Sequence, residues 1–204
     1  MLRRGLIDGV LAGCLVSIGG TVLLSCDNRY IGALLFCIAL LAICWFGFNL
    51  YTGKVGFLVA DHSGRSLATA YIGLLGNFLG TLMMGFLIAA AVPALRETAR
   101  QACALRLEQL PLQTFLRGCF CGVLMYVAVW TNREKNTIIG ILFCIPVFVL
   151  SGFEHSIADM FYFSLAAELF RPASLLFLLL VVLGNSLGAM FIPALRLLGG
   201  KEGA

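Results

Sequence analysis

The residues best suited to chemistry are few. His155 is one of only two histidines, and it stands in Ser151-Gly152-Phe153-Glu154-His155-Ser156, between two apolar runs. An imidazole there can exchange a proton, hold a water or bond an oxyanion, and an ionisable group at membrane depth is costly enough to mark a functional site by default. Thr52 lies 103 residues earlier in a comparable interruption, Asn49-Leu50-Tyr51-Thr52-Gly53-Lys54. Its hydroxyl can donate to His155 or to a passing oxyanion. His62, in Asp61-His62-Ser63-Gly64-Arg65, reads instead as part of a solvated turn. The eight cysteines include no Cys-x-x-Cys pair. Cys14, Cys37, Cys44, Cys119, Cys121 and Cys144 sit inside apolar runs and read as small apolar fillers, so no metal centre and no cofactor is expected.

The elements that position these groups follow from composition. Of 204 residues, 61% are hydrophobic and 12% charged, with a mean hydropathy of +1.00. A soluble domain carries about a quarter charged residues, so a soluble enzyme, a nucleic-acid binder and a disordered chain are excluded. One transmembrane domain spanning residues 1–204 is expected. Uncharged runs at 9–26, 30–53, 66–95, 118–132, 136–153 and 172–195 predict six membrane helices, the second and fifth broken. The run after Met1-Leu2-Arg3-Arg4 is read as the first of them rather than as a signal peptide, because five similar runs follow. Six spans put both termini on one side. Arg3, Arg4, Lys54, Arg65, Arg133, Lys135, Arg196 and Lys201 share that side, against Arg29, Arg96, Arg100, Arg106, Arg117 and Arg171 opposite, which places the termini in the cytoplasm.

The halves repeat. Gly9 and Gly13 recur as Gly118 and Gly122 at a displacement of 109, and Leu75-Gly76-Asn77-Phe78-Leu79-Gly80 recurs as Leu183-Gly184-Asn185-Ser186-Leu187-Gly188 at 108. Three spans per half is odd, so the second copy enters the membrane upside down. Inverted repeats of about 5–95 and 113–196 are therefore expected, with the paired interruptions pointing to a central site. Half-helix N-termini at the midplane attract anions and favour a neutral His155. An aquaporin-like channel for small neutral solutes is the alternative reading, although no Asn-Pro-Ala box is present. An intramembrane hydrolase using Ser156 or Ser151 with His155 is disfavoured, because adjacent residues make a poor nucleophile–base pair. The chain is not expected to be an enzyme.

Residues 49–54 resemble the Glu/Asp-Leu-Phe-Thr-Gly/Ser loop of the formate/nitrite transporter family. Ser-Gly-Phe-Glu-His-Ser-Ile-Ala-Asp-Met at 151–160 is similar to that family's Gly-Phe-Glu-His-Ser-Ile-Ala-Asn-Met signature. The Gly-Asn-x-Leu-Gly segments resemble its third and sixth spans, and 116–130 its fourth. The resemblance implies an all-α, aquaporin-like fold in a homopentamer with a pore through each protomer. It implies a place in the inner membrane of a prokaryote, and passage of formate, nitrite or hydrosulfide, with acetate or lactate at the larger end. It makes His155 the pore histidine facing Thr52 and Glu154 its neighbour, with Leu40, Leu50, Tyr51 and Phe148 at the apolar constrictions. Arg106 stands where the family has an outer-vestibule lysine, and Lys54 adds positive charge beside the first loop. Departures are expected to matter: Asn49 replaces an acid, and Gly122 replaces an asparagine that bonds the histidine, freeing volume beside it. The family's amphipathic N-terminal segment has no counterpart here, and Arg3 or Arg4 would stand in for its lysine.

Overall fold

The computed structural model describes residues 2–200, and the regular structure among them is helical throughout; Lys201 lies outside the described residues. Helix α1 (Leu2–Ser25) turns into α2 (Arg29–Phe46), whose first amides are capped by the Asn28 side chain and whose end is set by Gly47 at φ 68°. After a break at 47–50 come the single-turn α3 (Tyr51–Lys54) and a 3-10 stretch (Val55–Val59). Then follow α4 (Gly64–Ala91), α5 (Ala94–Leu107), α6 (Pro111–Lys135) and α7 (Ile139–Leu150). A second break at 151–155 contains Gly152 at φ 69° and leads to α8 (Ser156–Leu165) and α9 (Pro172–Leu198).

Five of these helices, α1, α2, α4, α6 and α9, are long and apolar enough to cross a bilayer. The run expected at 136–153 shortens to the 12 residues of α7, about 18 Å, because the left-handed Gly152 stops it before Glu154. The first break also comes earlier than the uncharged run to Gly53 suggests, at Gly47. The amphipathic α5, which carries Arg106, has no counterpart in the predicted spans.

Two close-packed pairs build the core, α1 along α4 and α6 along α9. Both use glycines at contact points: a Cβ on Gly13 would meet the Asn77 carbonyl, and one on Gly122 the Asn185 carbonyl. Backbones that approach this closely gain packing and tolerate no side chain. The exterior is apolar where a soluble domain's is polar, and a set of polar groups lies inside the apolar core. Asn49, Thr52, Asn77, Glu154, His155, Asp159 and Asn185 are buried, while Phe46, Phe86, Phe143 and Leu183 face outward and are at least half exposed. Such an apolar exterior needs lipid or other subunits against it.

Candidate functional site

Each helix break exposes backbone groups that no helix satisfies, and one asparagine at each break takes them up. Asn77 of α4 accepts from the Tyr51 amide at 2.9 Å and donates to the carbonyls of Gly9 and Asn49. Asn185 of α9 does the same for the other break, accepting from the Ser156 amide at 2.9 Å and donating to the carbonyls of Gly118 and Glu154. Irregular backbone inside a membrane domain persists only with such internal partners. The Gly-Asn-x-Leu-Gly recurrence was the sequence signal for these two residues, although it did not say what the asparagines bind.

The two breaks so held bring Thr52 and His155 together, with Thr52 Oγ1 lying 2.9 Å from His155 Nε2. Both side chains are at most 4% exposed. His155 is also the N-cap of α8, its Nδ1 accepting from the Ala158 amide at 3.2 Å. An accepting Nδ1 leaves the proton of the neutral ring on Nε2, which donates to Thr52. Both ring nitrogens are therefore committed within the protein. Phe148 stacks on the imidazole at 5.8 Å, and Phe36 meets Phe148 edge-on at 6.1 Å.

These rings form a waist between two larger cavities. Leu40, Leu50, Met125, Ile145, Phe148 and His155 surround a space of about 10 Å³, at the limit of what one water requires. On one side a cavity of about 410 Å³ reaches Phe36, Phe148 and His155. On the other, a cavity of about 260 Å³ reaches Leu40, Ile43 and Leu50. Arg117 near the start of α6 borders the first and Arg133 near its end borders the second, so the two lie roughly 24 Å apart along that helix.

The cavities differ in charge. Arg29, Arg106 and Arg117 line the larger one with Glu154 and Asp159. Arg106 is not a free cation: its Nε–H is shared between Glu154 Oε2 at 3.1 Å and Asp159 Oδ1 at 2.9 Å, its Nη1 donates to the Ala102 carbonyl, and its guanidinium covers the Tyr162 ring. Gln109 donates to the other Glu154 oxygen at 2.6 Å. Arg29 reaches the final carbonyls of α7. Lys54 and Arg133 line the smaller cavity, which has no acidic residue in its wall.

Three expected lumen residues lie elsewhere. Asn49 turns into the α1–α4 contact, donating to the carbonyls of Gly5 and Thr69, because its break packs against those helices. The Tyr51 hydroxyl bonds Ser186 of α9 at 2.8 Å and its ring lies against Tyr71, so the constriction keeps Leu50 and loses Tyr51. Gly122 frees no volume beside His155, because it presses on the Asn185 carbonyl while Met125, one turn on, borders the waist. Substituting Gly122→Asn should therefore not tune the pore. It should push α9 off α6, at a cost of about 1–3 kcal/mol or more, and lower the melting temperature of detergent-solubilised protein. Unchanged melting with altered selectivity would place residue 122 in the lumen after all. Sequence reasoning missed Arg29, Gln109, Arg117, Arg133 and Asp159 as wall residues. Only Asp159 left a trace, in its spacing of four residues from His155.

A helical domain with an apolar exterior, two stabilised breaks and a narrow waist between two charged cavities has the architecture of a membrane channel or transporter. The chain matches the formate/nitrite transporter family over residues 2–198 and belongs to that family. It is 26% identical to the nitrite transporter NirC of Escherichia coli K12, across 91% of this chain and 80% of that one. It is 27% identical to the formate channel FocA of Haemophilus influenzae, where the aligned part takes in 66% of this chain but only about half, 52%, of the FocA chain. Among solved structures, a pentameric formate channel with formate bound superposes with a TM-score of 0.84 at 24% identity, covering 98% of both chains. A second, described as an ion channel of the same family, gives 0.83 at 22%. The all-helical channel fold is thereby shared, and these relatives are channels and transporters, not enzymes.

Proposed function

We propose that the chain is a transmembrane channel for small monovalent anions of weak acids, with formate and nitrite as the nearest substrates and hydrosulfide, acetate and lactate as further ones. The observation that carries this reading is the Thr52–His155 contact at an apolar waist between two cavities with cationic walls. Lys54 and Arg133 on one side, and Arg29 and Arg117 on the other, raise the local anion concentration. A bare anion then meets Phe148, Leu40 and Leu50, where it loses its water and gains nothing in return. As water is stripped, the weak acid's own proton affinity rises, so it crosses the waist as the neutral acid. His155, held by Thr52, is the polar residue in the wall of the waist. The charged walls favour this reading over a channel for neutral solutes, which has no use for them.

The same reading extends to assembly. The repeated asparagine-supported breaks and the two glycine-packed pairs support an inverted duplication of about 5–95 and 113–196. The apolar exterior supports packing against copies of itself as a homopentamer. The basic residues support both termini in the cytoplasm of a prokaryotic inner membrane.

The test is formate uptake into proteoliposomes over about pH 5 to 8, with nitrite and hydrosulfide as competitors. Uptake should rise as external pH falls and be reduced by both competitors. Swelling with glycerol or urea in the absence of any formate flux would replace this reading with the neutral-solute one.

A further inference from the structure

The proposed mechanism needs a proton at the waist, and the imidazole is poorly placed to give one. Nδ1 of His155 caps α8 and Nε2 is spent on Thr52, so releasing or accepting a proton on the substrate side breaks one of these bonds. An acidic pair borders the larger cavity beside His155: Glu154 and Asp159 share one guanidinium N–H of Arg106, and both carboxyls are buried.

The four carboxyl oxygens are not equivalent. Glu154 accepts at both of its oxygens, from Gln109 and from Arg106, as an ionised carboxylate does. Asp159 accepts only at Oδ1, while its Oδ2 is buried with no hydrogen-bond partner. A buried carboxylate oxygen with no donor is among the costlier defects a structure can hold, and two carboxylates against one guanidinium leave a buried unit of negative charge. A proton on Oδ2 removes both problems, since paired carboxyls commonly divide one proton between them. The other titratable groups around the pair are Cys103 on α5, Cys121 on α6 and Tyr162 on α8. Helices α1, α4 and α9 also pack on α8 but bring no charged group that acts on Asp159, whose charged neighbours are Glu154 and Arg106.

We propose that Asp159 is held as a carboxylic acid with its proton on Oδ2, and that it is the donor that neutralises the anion as it leaves the larger cavity for the waist. The transfer is a plain acid–base exchange. The Oδ2–H bond breaks, the anion's oxygen takes the proton and becomes the neutral acid, and the Asp159 carboxylate takes a proton back from cavity water. Arg106 steadies the transient carboxylate through Oδ1. Asp159 is a wall residue of this cavity, but its Oδ2 is covered in the resting structure, so the transfer requires the carboxyl to turn that oxygen toward the anion drawn in by Arg29 and Arg117.

This inference rests on the channel reading, and two measurements separate their fates. The first is infrared difference spectroscopy of the purified full-length protein. A protonated-carboxyl band should be present in the wild type near neutral pH and absent from Asp159→Asn, whose amide has the shape of the protonated acid and should preserve the fold. The second is formate uptake. Without its local donor, Asp159→Asn must rely on acid already protonated in bulk. Uptake near neutrality should fall about tenfold or more, uptake at the acidic end should change little, and the pH profile should steepen. Glu154→Gln leaves Asp159 alone against Arg106, so the excess negative charge is gone and the band should weaken. A missing band, or an Asp159→Asn profile that superposes on the wild type, overturns the inference while wild-type uptake keeps the channel reading intact. A band without any wild-type uptake of weak acids overturns the donor role together with that reading.

Discussion

Replacing Asn185 with alanine should abolish the folded protein. The substitution strands three buried groups at once, the Ser156 amide and the carbonyls of Gly118 and Glu154. An orphaned buried partner costs about 1–3 kcal/mol, so three together approach the whole stability of a typical domain, about 5–15 kcal/mol. No water from bulk can repair the loss inside a bilayer. Asn185→Asp should be nearly as damaging, since it keeps the acceptor but sets a carboxylate against two carbonyls. The measurement is the yield and melting temperature of detergent-solubilised protein by size exclusion and intrinsic fluorescence. Asn77→Ala should behave alike, because its three bonds follow the same pattern. Near-native melting in both variants would show that the breaks are held by something other than these amides.

Replacing His155 with alanine should have the largest effect on transport. The ring stacks on Phe148, closes the waist and bonds Thr52. Its removal lets an anion pass with part of its water shell, so neutralisation is no longer required. Formate uptake should then lose most of its dependence on pH, and anions of strong acids, such as chloride or nitrate, should begin to permeate. The variant also loses the N-cap of α8, worth about 1 kcal/mol. His155→Asn separates the two effects: asparagine caps well and should restore melting, but it leaves the waist wide and the pH dependence lost. A His155→Ala protein that keeps the wild-type pH profile and selectivity would remove His155 from the permeation path. Asp159→Asn predicts the opposite signature, a steeper profile through an intact waist, so the two residues are distinguishable in one assay.

Much of this was legible in the residues themselves. The apolar runs located the helices because a bilayer demands about 20 apolar residues per crossing. The recurrence of Gly-Asn-x-Leu-Gly exposed the paired architecture, and the two interruptions drew Thr52 and His155 together across 103 residues. Boundaries were less legible: the end of α2 at Gly47 and of α7 at Gly152 depends on left-handed backbone that a hydropathy pattern does not report.

Side-chain direction was legible only in part, and this separates what the chain's order determined from what packing decided. Residue type and spacing set the class of protein, the approximate places of the breaks and the presence of His155 in the second of them, because these follow from local chemistry and the membrane's demand for apolar length. Tyr51 and Leu50 are neighbours in one break, yet Leu50 borders the waist and Tyr51 bonds Ser186. Gly122 and Met125 lie on one helix, yet one meets Asn185 and the other the lumen. Arg106 is separated from Glu154 and Asp159 by about 50 residues, yet they share one hydrogen-bond donor. In each case the outcome turns on the rotation and separation of helices distant in sequence. Close packing of α1 on α4, of α6 on α9 and of α5 on α8 sets those, because a tightly packed interior fixes which side chain faces the cavity and which is locked into the wall.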